Sequence, residues 1–354
     1  MRPRLKPVLR RVERDGRTLQ FGVHPSRAIV LTDLEPAVRR LVESLDGTRT
    51  LEQVVSASGL RADAAHEVVA LLVRHGLVED ASAPPGELAA LSREERELLR
   101  PELERLSLTA ADGGLAALRR RRAAQIRVYG AGRVGAGIVA LLAASGVGHI
   151  CVVDPGTARP RDTAPGGLGA ADVGASREEG AVAVARRLAP GVNAWTGRTA
   201  SRPADGAHRP DLAILAPVEP LDALLVRELH DAGVPHLLVA AFEGWGCVGP
   251  LVRPGDSPCL DCLDLFHRDR DPAWPSVRAR LGGFPAGEIA CDAALSALVA
   301  AQAAGQALAV LEGAAVSNGT LEITPDWRWN RRAFRPHPRC RCGRNHRHSL
   351  TMVA

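Results

Sequence analysis

Three groups of residues in this 354-residue chain have the types and spacing of chemistry. The first is Gly130-x-Gly132-x-x-Gly135, inside "RVYGAGRVGAG", with Gly137 two positions on. It follows an apolar run and opens a helical one, and Asp154 closes the next apolar run, "HICVVD", 22 residues after Gly132. Glycines so spaced let a turn and a helix N-terminus approach a phosphate, and an acid ending the second strand accepts ribose hydroxyls. The same glycines serve tight strand–helix packing, so the loop speaks first for nucleotide-binding ancestry. The second and third groups are Cys259-x-x-Cys262, in the Pro/Gly-rich loop "RPGDSPCLDC", and Cys340-x-Cys342 after Pro338. Two close thiol pairs in turn-rich segments predict a tetrahedral structural zinc. Cys151 in a strand and Cys291 on an alanine-rich helix are expected to be core thiols, and Cys247 in "EGWGCVGP" is expected to be buried beside glycines, the alternative being a reactive thiol. A chain with seven cysteines and no export signal is read as holding thiols or metal, not a disulfide framework.

These residues need elements to position them. From Ile126 apolar runs alternate with helical stretches: "IRVYG", a helix over Val134 to Ala144, "HICVVD", a helix near Arg177 to Leu188, "DLAILA", a helix from about Leu221 to Ala232, then "HLLVAA". That alternation predicts an α/β domain with a Rossmann-like, mostly parallel sheet and helices on both faces. Residues 7 to 80 read as a separate unit. "PVLRRVER" and "RTLQFGV" flank the turn dipeptide Asp15-Gly16, and His24-Pro25-Ser26 leads into a third strand, "RAIVLT". Three helices follow, the first from about Glu35 to Leu45 with Val38, Leu41, Val42 and Leu45 on one face. The second, "LEQVVSAS", starts after the N-cap Thr50, and the third, about Asp63 to His75, presents Val68, Val69, Leu72 and Val73. Three strands then three helices predict a small winged-helix-like α+β domain. The chain divides into this domain over 1–80, a helical linker over 81–122, and the α/β domain with its C-terminal metal segment over 123–354. The linker holds "ASAPPGE" and a charged helix expected to break near Pro101.

Composition excludes several classes. Lys6 is the sole lysine, which removes lysine chemistry from nearly the whole chain. The net charge of +5 is modest, and the basic cluster from Arg331 to Arg347, with His337, His346 and His348, is expected to be a solvated tail, with no nucleic-acid partner. No apolar segment is read as approaching the ~18 to 20 residues of a membrane span. "MRPRLKPVLRRV" has no apolar signal core, so a cytoplasmic protein with no membrane partner is expected.

Taken together, the glycine pattern, Asp154, "DVG" at Asp172 to Gly174, "VAAFEGWGCVGPLVRPGDSPCLDC" and the final Cys-x-Cys resemble the ThiF family over roughly Ala123 to Cys342. These are the ubiquitin-activating-enzyme-like adenylyltransferases. The resemblance implies a homodimer that binds ATP–magnesium and adenylates a peptide C-terminus, with a zinc clamped by Cys259, Cys262, Cys340 and Cys342. It assigns nucleotide contacts to Gly130, Gly132, Gly135, Asp154 and Arg177. It also implies groups this chain lacks. A second acid falls on Gly156, an Asn on Asp162, a phosphate-touching Arg on Pro165 and a Lys on Arg177; the magnesium Asp falls on Val218, with Glu219 next to it. Adenylation needs metal and cations to offset charge as pyrophosphate leaves. The expectation is an inherited fold whose own adenylation chemistry is degenerate, with Arg177 and Glu219 as partial substitutes.

The first unit brings a second resemblance. "LDGTRTLEQVV", a helix and "RHGLV" are similar to PqqD and related peptide-recognition elements of ribosomal-peptide pathways. Such elements bind a leader peptide as an added strand. The resemblance makes Ala28, Ile29, Val30, Leu31 and Thr32 the receiving strand, with Val69 and Leu72 on the facing helix wall. DNA is not expected there, since the third helix sets Asp63 and Glu67 beside only Arg74. The leading expectation is a protein that holds a precursor leader and presents the rest to a partner, such as a YcaO-type azoline-forming cyclodehydratase. The alternative is an ATP-dependent adenylyltransferase acting on a peptide or sulfur-carrier carboxylate.

Overall fold

The computed structural model describes residues 1–82, 91–197, 209–218, 221–280, 290–314 and 319–342. It divides into two compact units, Met1–Arg119 and Arg120–Ala354.

In the first unit, β2 (Arg11–Asp15), β3 (Thr18–Phe21) and β4 (Ile29–Leu31) form an antiparallel sheet in that order. Asp15 pairs with Thr18 across a two-residue loop, and the Asp15 carboxylate accepts the Arg17 N–H at 2.8 Å, which fixes the tight turn. Helices α1 (Pro36–Glu43), α2 (Leu51–Ala57) and α3 (Ala62–Arg74) follow as expected. Thr50 and Gln53 cap α2 reciprocally, each side chain taking up the other's backbone N–H. Leu19, Phe21, Leu41, Val42, Val54, Val69 and Leu72 meet in one core. A ladder the sequence did not announce, β1 (Pro3–Leu5) with β5 (Val78–Asp80), joins the two ends of this module. The charged helix α4 (Arg93–Ser107) runs through Pro101 where a break was expected. The Ser92–Glu95 capping box and the buried Leu99 and Leu106, packed with Leu118 of α5 (Leu115–Ala123), hold it. One missing N–H does not outweigh that packing.

In the second unit the strands are β6 (Gln125–Tyr129), β7 (His149–Val153), β8 (Asn193–Thr196), β9 (Leu212–Leu215), β10 (His236–Phe242), β11 (Trp245–Val252), β12 (Gly319–Ile323) and β13 (Trp329–Ala333). The helices are α6 (Arg133–Ala144), α7 (Arg177–Leu188), α8 (Ala223–Asp231), α9 (Leu260–Arg270), α10 (Trp274–Arg278) and α11 (Ala293–Leu311). One sheet of eight strands has the order β13-β12-β11-β10-β9-β6-β7-β8. The run from β10 to β8 is parallel and the β10–β11, β11–β12 and β12–β13 pairs are antiparallel, so the fold is mixed α/β, mostly parallel. Alternation along the strands sends Ile126, Val128, Ile150, Val152 and Ile214 toward α6, α7 and α11, and Tyr129, Ala213 and Leu215 toward Leu229 of α8.

Helix α11 corrects an expectation. Its 19 residues have a mean hydropathy of 1.7, long and apolar enough by length and composition to cross a membrane. Its face of Leu295, Val299, Ala303 and Ala307 is buried in the sheet's core, as expected of a core helix.

Candidate functional site

The glycine loop joins β6 to α6. Gly130 has φ +98°, and a Cβ there would stand 1.9 Å from the Ala216 carbonyl oxygen. A Cβ on Gly135 would stand 2.0 Å from the Gly130 carbonyl, and Gly132 is the N-cap of α6. Packing alone therefore demands glycine at Gly130 and Gly135.

Asp154 lies just past β7 and is 3% exposed. Its carboxylate accepts N–H bonds from Ala131 at 2.7 Å and Gly156 at 2.8 Å. It also meets the Arg177 guanidinium, with Nη2 2.9 Å from Oδ1 and Nε at 3.0 and 3.1 Å from the two oxygens. Arg177 is itself buried, and its Nη1 lies 3.5 Å from Asp162, also buried. The guanidinium packs against Gly156, where a Cβ would come within 2.1 Å of Nη2. Glu178, next along α7, accepts the Asp154 backbone N–H at 3.2 Å. Arg133 Nη1 donates to the carbonyls of Arg161 and Thr163 at 2.9 and 2.6 Å, holding the segment around Asp162 against the start of α6. The carboxylate that the family resemblance assigns to an adenosine ribose is buried and taken up by an arginine, so in this arrangement the residues do not fit that ribose. Val218, at the position of the magnesium acid, is a buried hydrophobe, and Glu219 lies outside the described residues.

The second constellation is a thiol cage. The sulfurs of Cys259, Cys262, Cys340 and Cys342 all lie within 4.8 Å of one another. Cys259 is 3.9 Å from Cys262 and 3.6 Å from Cys340, and Cys262 is 3.4 Å from Cys342. Four sulfurs each ~2.3 Å from one tetrahedral cation would stand roughly 3.8 Å apart, so the residues fit such a metal. The expected loop is partly a helix end: Cys259 is the N-cap of α9 and Cys262 sits in its first turn. Burial pushes the Cys259 thiol up and the Cys342 thiol up to about 12. Against the burial of its own site, Cys262 is held lower, with the His337 N–H 3.3 Å from its sulfur. His337, which the sequence placed only in a basic tail, is 5% exposed; its Nε2 lies 2.9 Å from Asp269 and its ring meets Phe266 edge-on. It braces the cage, and its position between two prolines, before the Cys-x-Cys, was the one available signal. Cys151 and Cys291 are buried, Cys291 within the main core, whereas Cys247 is only half-buried; burial raises the Cys151 and Cys247 thiols to about 11 and about 12.

The third element is β4. It ends the first unit's sheet, and among the described residues no strand covers its outer edge. Ile29 and Leu31 pack against the core while Val30 is 38% exposed. Val69 and Leu72 are 3% and 1% exposed, so they fill the core of the module and do not line an open groove. The periodicity that singled them out marked the helix's inward face.

The ThiF family model matches residues 105–343. The chain belongs to the ThiF family. Among solved structures, E. coli MccB with succinimide superposes with a TM-score of 0.75 at 14% identity, covering 98% of this chain and 100% of that one. E. coli MccB with ATP gives 0.72 at 13%, covering 97% and 99%, and PaaA gives 0.66 at 18%, covering 93% and 99%. At these identities the likeness is one of fold, and it spans nearly all of this ThiF-family chain. No curated protein matches its sequence.

Within that ThiF fold the first-noticed residues separate into two groups. Asp154 and Arg177, expected side by side on a nucleotide, are brought together on each other. The four cysteines are brought together at spacings that fit one tetrahedral cation.

Proposed function

We propose that this ThiF-family protein binds the leader of a ribosomally made precursor peptide and presents the remainder to a separate modifying enzyme of the YcaO type, without adenylating the peptide itself. The observation that carries the reading is the Asp154–Arg177 pair, a buried bidentate contact that consumes the ribose acceptor. Val218 in place of a magnesium carboxylate supports it. The peptide side is supported by fold relatives: MccB is solved with MccA and AMPCPP, and with N-formylated MccA. In this reading the leader adds to β4 over Ala28 to Thr32, Val69 and Leu72 act only by packing α3 beneath it, and the cage holds a structural zinc. The protein works as a cytoplasmic homodimer.

Peptide-dependent ATP–pyrophosphate exchange tests the proposal, using precursor peptides encoded beside this protein. A peptide that binds without provoking exchange is the expected result. Robust exchange that Asp154→Ala abolishes would overturn it. That outcome would promote the second reading, an ATP-dependent adenylyltransferase of a peptide or carrier carboxylate, which the MccB structure with ATP favours.

A further inference from the structure

The eight-stranded sheet ends at β13, and all five residues of that strand are exposed. Thr324 donates its N–H to the Arg328 carbonyl at 3.0 Å, which marks that pair as hydrogen-bonded and fixes the alternation beyond it. From Ile323↔Trp329 onward, the backbone groups of Trp329 and Ala333 therefore point away from β12. Among the described residues no strand receives them. Trp329 is 44% exposed, and Trp327 in the preceding turn is 51% exposed with φ +62°, a conformation a bulky side chain rarely adopts.

Charge says what would suit this edge. From Arg328 to Cys342 there are six arginines and no carboxylate. Arg328, Arg332 and Arg339 pair with Asp326, Glu322 and Asp269, whereas Arg335 and Arg341 have no ion pair among the described residues. Edge strands are commonly blunted by charge, which repels neutral or basic strands. A guard against aggregation gains nothing from large exposed rings, so the tryptophans need another reason.

We propose that the open edge of β13 takes an extended, acidic peptide segment as a ninth strand of the sheet. Main-chain bonds to Trp329 and Ala333 would set its register, the indoles would cover its apolar side chains, and the arginines would select its carboxylates. A nucleic acid could use the arginines and single N–H groups, but it lacks the alternating main-chain donors and acceptors that would pair with both the N–H and C=O groups of the edge. The proposal stands apart from the β4 reading, because the two edges belong to different units.

The test uses the full-length protein and a short N-acetylated peptide alternating Glu and Val. Calorimetry should show binding that tightens at low salt, and hydrogen exchange should show new protection over Trp329–Ala333. Trp329→Ala and Arg335→Glu should each weaken binding at least ~10-fold, while Arg96→Glu, an equal charge change on α4, should not. The same peptide N-methylated at alternate residues keeps its charge and should lose binding. Equal affinity for the methylated peptide would reduce the interaction to bulk charge and overturn the proposal. So would β13 variants that bind as tightly as the parent, or an oligothymidylate that protects these amides where the peptide does not. The exchange readout needs no variant, so the idea fails or survives even if a substitution disturbs folding.

Discussion

A methyl group at position 156 decides whether the Arg177 guanidinium can lie against Asp154, since it would come within 2.1 Å of Nη2. Gly156→Ala should displace the arginine and leave Asp154 and Asp162 buried without their cation. Removing one partner of a buried ion pair costs about 3–5 kcal/mol, and urea unfolding should show a loss of that order for Gly156→Ala and Arg177→Ala alike. A Gly156→Ala protein as stable as its parent would mean the pair is not held as described. The sequence showed both departures, glycine for an acid and arginine for a lysine, but not that they compensate. Their pairing joins a loop to a helix 21 residues later, and only the fold brings the two together. The glycines and thiol pairs were legible because their requirements are local: backbone approach in one case, ligand spacing in the other.

At the scale of elements, the two cysteine pairs come from α9's first turn and from the segment after β13, so a metal would tie together pieces 80 residues apart. Cys340→Ser should lose bound zinc, measured as metal per chain, and loosen the segment around His337, because affinity and loop order are coupled. Unchanged metal content would exclude this ligand set. For β4, Val30→Pro should impair leader binding strongly while circular dichroism stays native, since proline removes a donor and fixes φ. Leader affinity equal to the parent's in a folded variant would place the peptide elsewhere. A charge at Leu72 cannot serve as a second probe, because that side chain is 1% exposed and its replacement would break the core. Here helical periodicity was read correctly and its use was not: an inward face and a groove wall look alike in one dimension. The antiparallel strands were harder to see. "WGCVGPLV" is broken by Gly and Pro, and "WNRRA" is polar on both faces, so neither shows the alternation of a half-buried strand.

For the whole molecule, acid stability follows from His236, fully buried, with Nδ1 2.9 Å from the Val234 carbonyl. Burial lowers its pKa from 6.5 to about 4, so the folded chain keeps it neutral while the unfolded chain takes up a proton. Above pH 6.5 this has no effect; as pH falls from there toward 4 the fold should lose up to ~3 kcal/mol. His236→Gln should flatten that part of the stability profile relative to the parent, with the cage's own acid sensitivity common to both. An unchanged slope would show that His236 is not the group responsible. The strand–helix alternation made the parallel half of this architecture readable, whereas the order of the strands was not written anywhere. That order has a consequence on the ribosome. β9 sits between β6 and β10, yet it is made after β6, β7 and β8. The first half-sheet emerges with one side of β6 bare until Leu212 arrives, a wait of about 4–17 s at ordinary translation rates. Cys340 and Cys342 arrive later still, so a truncated chain that stops before them would carry half a cage, too few thiols to hold the proposed zinc. If the cage holds zinc as proposed, retained zinc would mark a chain whose synthesis reached the second cysteine pair.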